Sequence, residues 1–415
     1  MKNIKNYFGS IQNINENDVL DLCKSESGIY KVKREGVNFF FYFNPSNKKQ
    51  LYLFFSGGGR SNSDITFHRW SWADICDGAF ICFEDPMYQT FKIQGHGYFY
   101  GSKTRSFLMD IKSIVDNICL VNGLDNNQLT FVGSSVGGYA ALTLTHHFPG
   151  SKCIAFNPQF DIVKFGCPFF ANKNIFELND SFKRANILEN VIDSKSRRFI
   201  SFNLASPKDK EQLSLLENYL GRIFNQGVNT VSNNILYLYD IVARDKHNVF
   251  PDKVLFPYIE RWLSSGNLGL NDFYSLFTSY LREVYSLSDR IYYLSCFTRI
   301  LRGIDTAGLI LPSETSMQKH YICLKLDGID SKIHYEIQIH RNSSNIIVCF
   351  HCENKDLFGS MMDLFFSNLS NITSYNYKKT DHAYALFKKV DEKTCEIEFN
   401  ELKRKTFNII KDRFL

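Results

Sequence analysis

The sequence predicts a three-layer α/β domain followed by a smaller α+β module, and three observations carry that expectation. Short runs of Phe, Leu, Ile and Val without clean alternation recur between residues 29 and 240, as strands covered on both faces do. Longer stretches of helical spacing separate most of these runs, the pattern of crossover connections in a mostly parallel sheet. After "SSGNLGLND", from residue 264, the chain changes character and closely spaced strand-like runs dominate.

The elements follow in order. "IYKVKR" and "VNFFFYFN" read as an antiparallel pair joined by "EG", and "LYLFFS" follows after a polar break. "AFICFE" is the next strand, then a helix over 104–120, then the strand "LTFVGS" and a helix starting near Val136. "CIAFNP", "RFISFNLA" and "NILYLYDIV" continue the strands, with helices over 208–225 and 253–264. Residues 266–305 carry aromatics and leucines at helical spacing and read as a helical bridge. "HYICLKLD", "IHYEIQIH", "NIIVCFHC", "HAYALFKKV" and "CEIEF" read as strands of the last module, with helices at "KDLFGSMMDLFFSNLSN" and at the end. The expected domains are therefore 1–265, 266–305 and 306–415.

Bulk composition narrows the function classes. The net charge of +5, from 48 basic and 43 acidic residues, is too balanced to imply a nucleic-acid partner. The 38 Phe and 22 Tyr are read as packing for aromatic-rich cores. Eleven cysteines, an odd number scattered through apolar runs, read as free thiols of a reducing compartment. No run has signal-peptide or membrane-spanning character, so a cytoplasmic protein without a transmembrane segment is expected. No nucleotide motif occurs and no metal site is expected. Cys349 and Cys352 have C-x-x-C spacing but lie within one strand-like run, without a second pair, and read as a buried pair.

The chemistry concentrates on "LTFVGSSVGGYAAL". A serine at a sharp strand-to-helix turn needs small residues on both sides, and Gly133 and Gly137 stand two before and two after Ser135. Ser135 is the expected nucleophile. Three glycines directly after "LYLFF", namely Gly57, Gly58 and Gly59, are suited to turn backbone amides toward a developing oxyanion, with the Val136 amide as a further donor. His247, in the polar loop after the last strand, is the expected base, with His68 and His96 as alternatives. Asp209, one strand earlier, is the expected acid, ahead of Asp245, Glu211 and Asp240. Arg60, His68, Trp70, Asp85, Tyr88 and His96 are candidate substrate-binding residues, on segments expected near the same sheet edge.

The segments "LYLFFSGGGR", "EDPMY", "GYFYG" and "LTFVGSSVGGYAALTLTHHFPG" resemble the α/β-hydrolase-like proteins of bacterial surface-glycan biosynthesis. These include O-acetyltransferases of capsular polysaccharides and sialic acids and, more distantly, a hydrolase-like component of accessory Sec systems. The resemblance implies an α/β-hydrolase-like domain with a Ser135–His247–Asp209 triad and an oxyanion loop at Gly57–Gly59. It also implies acetyl-CoA as co-substrate rather than a bound cofactor, a glycan hydroxyl as acceptor, and peripheral association with a glycan-assembly complex. Homo-oligomerisation stays open. An esterase or deacetylase that uses water as acceptor, and a non-catalytic scaffold in an export complex, are the alternative expectations.

Overall fold

The computed structural model describes residues 11–14, 20–58, 65–165, 171–173, 175–176, 184–192, 195–232, 234–244, 246–248, 252–265, 289–340, 345–357 and 359–414. The chain forms two compact units, Met1–Asp240 with Phe250–Phe277, and Ile241–Val249 with Thr278–Leu415.

Ten strands form the sheet of the first unit: β1 (Gln12–Ile14), β2 (Gly28–Arg34), β3 (Val37–Asn44), β4 (Leu51–Phe55), β5 (Ala79–Phe83), β6 (Leu129–Ser134), β7 (Lys152–Phe156), β8 (Arg197–Asn203), β9 (Gly227–Val231) and β10 (Asn234–Tyr239). Its helices are α1 (Met87–Phe91), α2 (Phe107–Asn122), α3 (Val136–His147), α4 (Ile162–Phe165), α5 (Leu188–Ile192), α6 (Pro207–Leu220) and α7 (Asp252–Ser264). The strand order is β1-β2-β3-β5-β4-β6-β7-β8-β10-β9. From β5 to β10 all neighbours run parallel, whereas β3 is antiparallel to both β2 and β5. The β2–β3 turn is the expected "EG", with Glu35 at φ 43° and Gly36 at φ 81°. Positive φ at both central residues is the two-residue turn whose twist matches the strands.

Alternation along the strands builds three layers. Leu51, Leu53 and Phe55 of β4 join one buried cluster with Phe131 and with Ile111, Val115, Ala141 and Leu144 of α2 and α3. Tyr52 and Phe54 face the other way and meet Phe256 of α7 at 6.2 and 5.9 Å between ring centroids. Burial on both faces explains the unbroken apolar strands. The open parallel sheet with helices on both sides, and a serine at a strand-to-helix turn, makes this an α/β-hydrolase-like domain. Sequence reading misses β1 and β9. The first is only three residues long, and the second, "GVNTV", is a partly polar edge strand paired on one side with β10.

The second unit is an antiparallel sheet in the order β11-β12-β13-β14-β16-β15, formed by Leu309–Ile310, Tyr321–Leu326, Ile333–Ile339, Ile346–Cys352, Asn376–Lys379 (β15) and Tyr384–Val390 (β16). Its helices are α8 (Asp289–Gly303), α9 (Glu314–Met317), α10 (Ser360–Thr373) and α11 (Cys395–Phe414). Helices α10 and α11 cover one face, with Phe366 stacked on Phe350 at 5.5 Å and Phe399 against Tyr335 at 5.6 Å. This is an α+β module that begins earlier than expected, and "CEIEF", expected as a strand, forms the first turns of α11 instead. Of the expected bridge, residues 266–288 lie outside the described residues, and α8 belongs to the second unit. Asn400 Nδ2 donates to the Gly303 carbonyl at 3.1 Å, and Lys403 pairs with Asp305 at 2.6 Å. The stretch 241–249 also groups here, with the Arg244 amide donating to the Pro312 carbonyl at 2.9 Å. Among the described residues no helix is long and apolar enough to cross a membrane.

Candidate active site

Between β4 and β6 the order of the parallel strands reverses: β5 follows on one side of β4, while β6 returns to the other. Loops leaving the carboxyl ends of two such strands diverge and open a crevice, the place where open α/β sheets bind ligands. The glycine loop after β4 and Ser135 after β6 flank that crevice, and the register pairs Phe55 with Gly133.

Ser135 stands at φ 55° and ψ −121°, a conformation that strains a residue with a side chain. The Ser135 amide donates to the Phe156 carbonyl at 2.9 Å, and its carbonyl accepts from the Tyr139 amide at 3.1 Å. These bonds pin the turn between strand and helix. The flanking glycines answer to space: a Cβ on Gly133 would overlap the backbone of Gly137, one on Gly137 would overlap the Phe55 carbonyl, and one on Gly138 would lie 3.0 Å from Pro158 Cβ. Ser135 is thereby held at the first turn of α3, whose leading amides have no partner within the helix. Val136 supplies the first of them, and the helix dipole adds to its pull on an anion.

Sequence reasoning misses a side chain that meets the serine hydroxyl. Gln159 is fully buried, with Nε2 at 3.3 Å and Oε1 at 3.4 Å from Ser135 Oγ. Its Nε2 also donates to the Asn157 carbonyl at 3.2 Å. Asn157, at φ 49°, accepts the Tyr239 hydroxyl on Oδ1 at 2.9 Å and donates through Nδ2 to Asp209. Asp209, fully buried in the first turn of α6, also accepts the Asn203 amide at 3.2 Å. A polar chain thus runs from Ser135 through Gln159 and Asn157 to Asp209, along the carboxyl ends of β7, β8 and β10. Burial, and then the Asp209 carboxylate, push the Tyr239 hydroxyl well above its ordinary pKa, so it stays a donor. The only sequence signal for Gln159 and Asn157 is their position in "NPQF", directly after a core strand.

The oxyanion expectation is corrected in part. The Gly57 amide donates to His68 Nδ1 at 2.7 Å, so it is already committed. The neutral His68 ring accordingly carries its proton on Nε2. The His68 amide in turn bonds Ser56 Oγ at 3.2 Å, which closes the glycine loop onto the following segment. Gly58 lies against His96 and Val136, where an added Cβ would come 2.7 Å from Val136 Cγ2. The first unit therefore brings Ser135, Val136, Gly57, Gly58, His68, His96 and Gln159 together. Gly59 and Arg60 lie outside the described residues.

Two further expectations are corrected. Asp85 is fully buried and accepts the Met87 amide on Oδ1 at 3.0 Å and the Phe99 amide on Oδ2 at 3.1 Å, so it shapes loops rather than meeting substrate. Tyr88 is also fully buried, and its hydroxyl bonds the Gly95 carbonyl. Trp70 packs edge-on against Tyr42 at 5.8 Å, and Trp72 joins the layer with Phe54 and Phe256. Arg69, not singled out from the sequence, pairs through Nε with Asp252 at 2.9 Å at the start of α7. His247 sits half-buried on the single turn Lys246–Asn248, in the stretch grouped with the second unit, whereas Ser135 and Asp209 belong to the first.

No family model and no curated protein matches the sequence. Among solved structures, the chain is similar to the capsule O-acetyltransferase of Neisseria meningitidis serogroup A, at 15% identity and a TM-score of 0.41 over 59% of this chain and 98% of that one. It is also similar to the glycosylation-associate-protein complex from Streptococcus agalactiae, at 18% identity and a TM-score of 0.39 over 60% of this chain and 45% of that one. A lipase/esterase from Lactobacillus plantarum is a third, at 12% identity and a TM-score of 0.38 over 58% and 97%. The chain's own strand order and the turn at Ser135 make the first unit an α/β-hydrolase fold with a serine at its strand-to-helix elbow.

Proposed function

We propose that the protein is a serine-dependent O-acyltransferase that moves an acetyl group from acetyl-CoA to a hydroxyl of a bacterial surface glycan. The observation that carries this reading is the strained Ser135 elbow at a helix N-terminus, over a crevice at the sheet's switch point. Backbone strain of this kind costs roughly 1–3 kcal/mol and persists where function requires it. The donor and acceptor follow from the motif resemblance.

In this mechanism His247 takes the Ser135 proton as Ser135 Oγ attacks the acetyl carbonyl of the thioester. The Val136 and Gly58 amides receive the oxyanion, and Asp209 offsets the charge on the imidazolium. Collapse expels the CoA thiolate, which takes the proton back from His247, and leaves an acetyl ester on Ser135. The acceptor hydroxyl then gives its proton to His247, attacks the ester, and departs acetylated as Ser135 is regenerated. Each oxyanion donor is worth about 10²–10³ in kcat in comparable sites.

Labelling the full chain with a fluorophosphonate probe, and mapping the modified residue, tests the nucleophile. Modification at Ser135, lost in Ser135→Ala, is the expected result. Retained acetyl transfer by Ser135→Ala would remove the covalent mechanism. For the base, His247→Ala should lower transfer by about 10²–10⁴-fold. If His96→Ala or His68→Ala has that effect and His247→Ala does not, the role passes to a histidine of the first unit. Supplying acetyl-CoA with and without glycan acceptors separates transfer from hydrolysis: free acetate without acetylated glycan selects the esterase reading.

A further inference from the structure

We propose that the second unit binds one zinc ion between Cys323, His334, Glu336 and His351, a structural site that staples three adjacent strands of its sheet. The residues lie on β12, β13 and β14, and the antiparallel register sets Cys323 opposite Glu336, Glu336 opposite Cys349, and His334 opposite His351. Since side chains alternate along a strand, all of these occupy one face of the sheet. The other face carries Leu324, Tyr335, Ile337 and Phe350, the residues that meet α10 and α11 or lie beside those that do.

Apolar packing does not account for this cluster. His334 and Glu336 are 3% and 5% exposed, a high cost for ionisable groups unless they are paired or hold an ion. His334 Nε2 and His351 Nδ1 are buried and, among the described residues, make no hydrogen bond; they face carboxylates at ion-pair distance, Glu336 Oε2 in both cases and, for His351 Nδ1, also Glu353 Oε1 at 3.7 Å. The potential ligand atoms of Cys323, His334 and Glu336 lie within 4.8 Å of one another, and so do those of His334, His351 and Glu353. Glu336 Oε2 is 3.5 Å from His334 Nε2, 3.8 Å from His351 Nδ1 and 3.8 Å from Cys323 Sγ. With metal–ligand bonds of about 2.0–2.3 Å, the edges of a tetrahedral zinc site are roughly 3.3–3.8 Å.

The surroundings orient the donors as metal sites require. His334 Nδ1 lies 3.3 Å from the Ser331 carbonyl, to which it can donate, and this leaves Nε2 as the ring nitrogen that faces the cluster. Gln338 Nε2 donates to Glu336 Oε1 and leaves Oε2 to the cluster. A mixed thiolate, imidazole and carboxylate set suits zinc better than magnesium or calcium, which take oxygen ligands. Binding exchanges the Cys323 thiol proton for the metal and releases it to solvent. Cys352 takes no part, because three residues along a strand carry it to the opposite face from Cys349. The cluster therefore does not follow the C-x-x-C spacing that is visible in the sequence.

Zinc in the full chain, dialysed against a weak chelator, is to be counted by mass spectrometry of the metal. One zinc per chain is expected, with less than a tenth of that in His351→Ala and Cys323→Ser. Gln338→Leu, which leaves the ligands intact, should weaken Zn(II) affinity about 10–100-fold. Co(II) replacement should give the absorption of a tetrahedral thiolate site, with the sulfur charge-transfer band lost in Cys323→Ser. Circular dichroism of each variant confirms folding, and added Zn(II) should raise Tm in the native chain but not in His351→Ala. Substoichiometric zinc in the native chain, or equal zinc in native chain and folded ligand variants, would overturn the proposal.

Discussion

Ser135 keeps its left-handed φ because its neighbours leave the backbone no alternative path between β6 and α3. Gly137 is one of the exacting positions, since an added methyl would run into the Phe55 carbonyl, a backbone group of the adjacent strand. Gly137→Ala should therefore lose about 2–3 kcal/mol of stability in addition to any effect on labelling, measured by thermal denaturation. An unchanged Tm would mean that the turn is looser than this packing implies. The glycines and the serine are legible in the sequence because this turn makes local, type-specific demands. Gln159 and Asn157 are not: their roles arise from the neighbouring strand β7 and have no spacing relative to Ser135 that a linear reading could find. The commitment of the Gly57 amide to His68 is hidden for the same reason, being a contact between residues eleven positions apart.

At the level of elements, the β2–β3 hairpin is a case in which pattern and geometry agree, and it offers a direct test. Glu35 occupies a positive-φ position that Asn or Gly fills more readily, and its side chain is largely exposed. Its ion pair to Arg105 at 3.7 Å contributes little at such exposure. Glu35→Asn should accordingly raise stability by about 0.5 kcal/mol, read as a higher denaturation midpoint with an unchanged slope. A lower midpoint would show that the Arg105 contact matters more than the turn. The core strands are equally legible, because burial on both faces enriches them in large apolar side chains. Edge strands β1 and β9 escape the same reading, since one is very short and the other meets solvent with polar residues. The strand run "IVCFHC" misleads in another way: its cysteine spacing suggests a pair, whereas the pleat sends the two thiols to opposite faces.

For the whole molecule, the division between units departs from a simple cut near residue 265. Helix α8 buries Leu294, Phe297, Ile300 and Leu301, and its end is fixed by Asn400 and Lys403 of α11. A fragment ending at residue 305 would keep this helix without the partners that fix it, and would expose its apolar face. It should aggregate, whereas a fragment ending at residue 277 should give more monomeric protein by size-exclusion chromatography. Equal behaviour would place the division elsewhere. Composition marks the change of architecture near residue 265, but the return of residues 241–249 to the second unit depends on tertiary pairing and leaves no compositional trace.

That return has a consequence for biosynthesis. The Arg244 amide meets the Pro312 carbonyl, a group made some seventy residues later in translation. The segment bearing His247 thus gains this anchor only after the sheet carrying Ser135 has left the ribosome. In the proposed enzyme, nascent copies would expose a nucleophile before its base is secured, and acyl chemistry would begin only when the later residues had emerged.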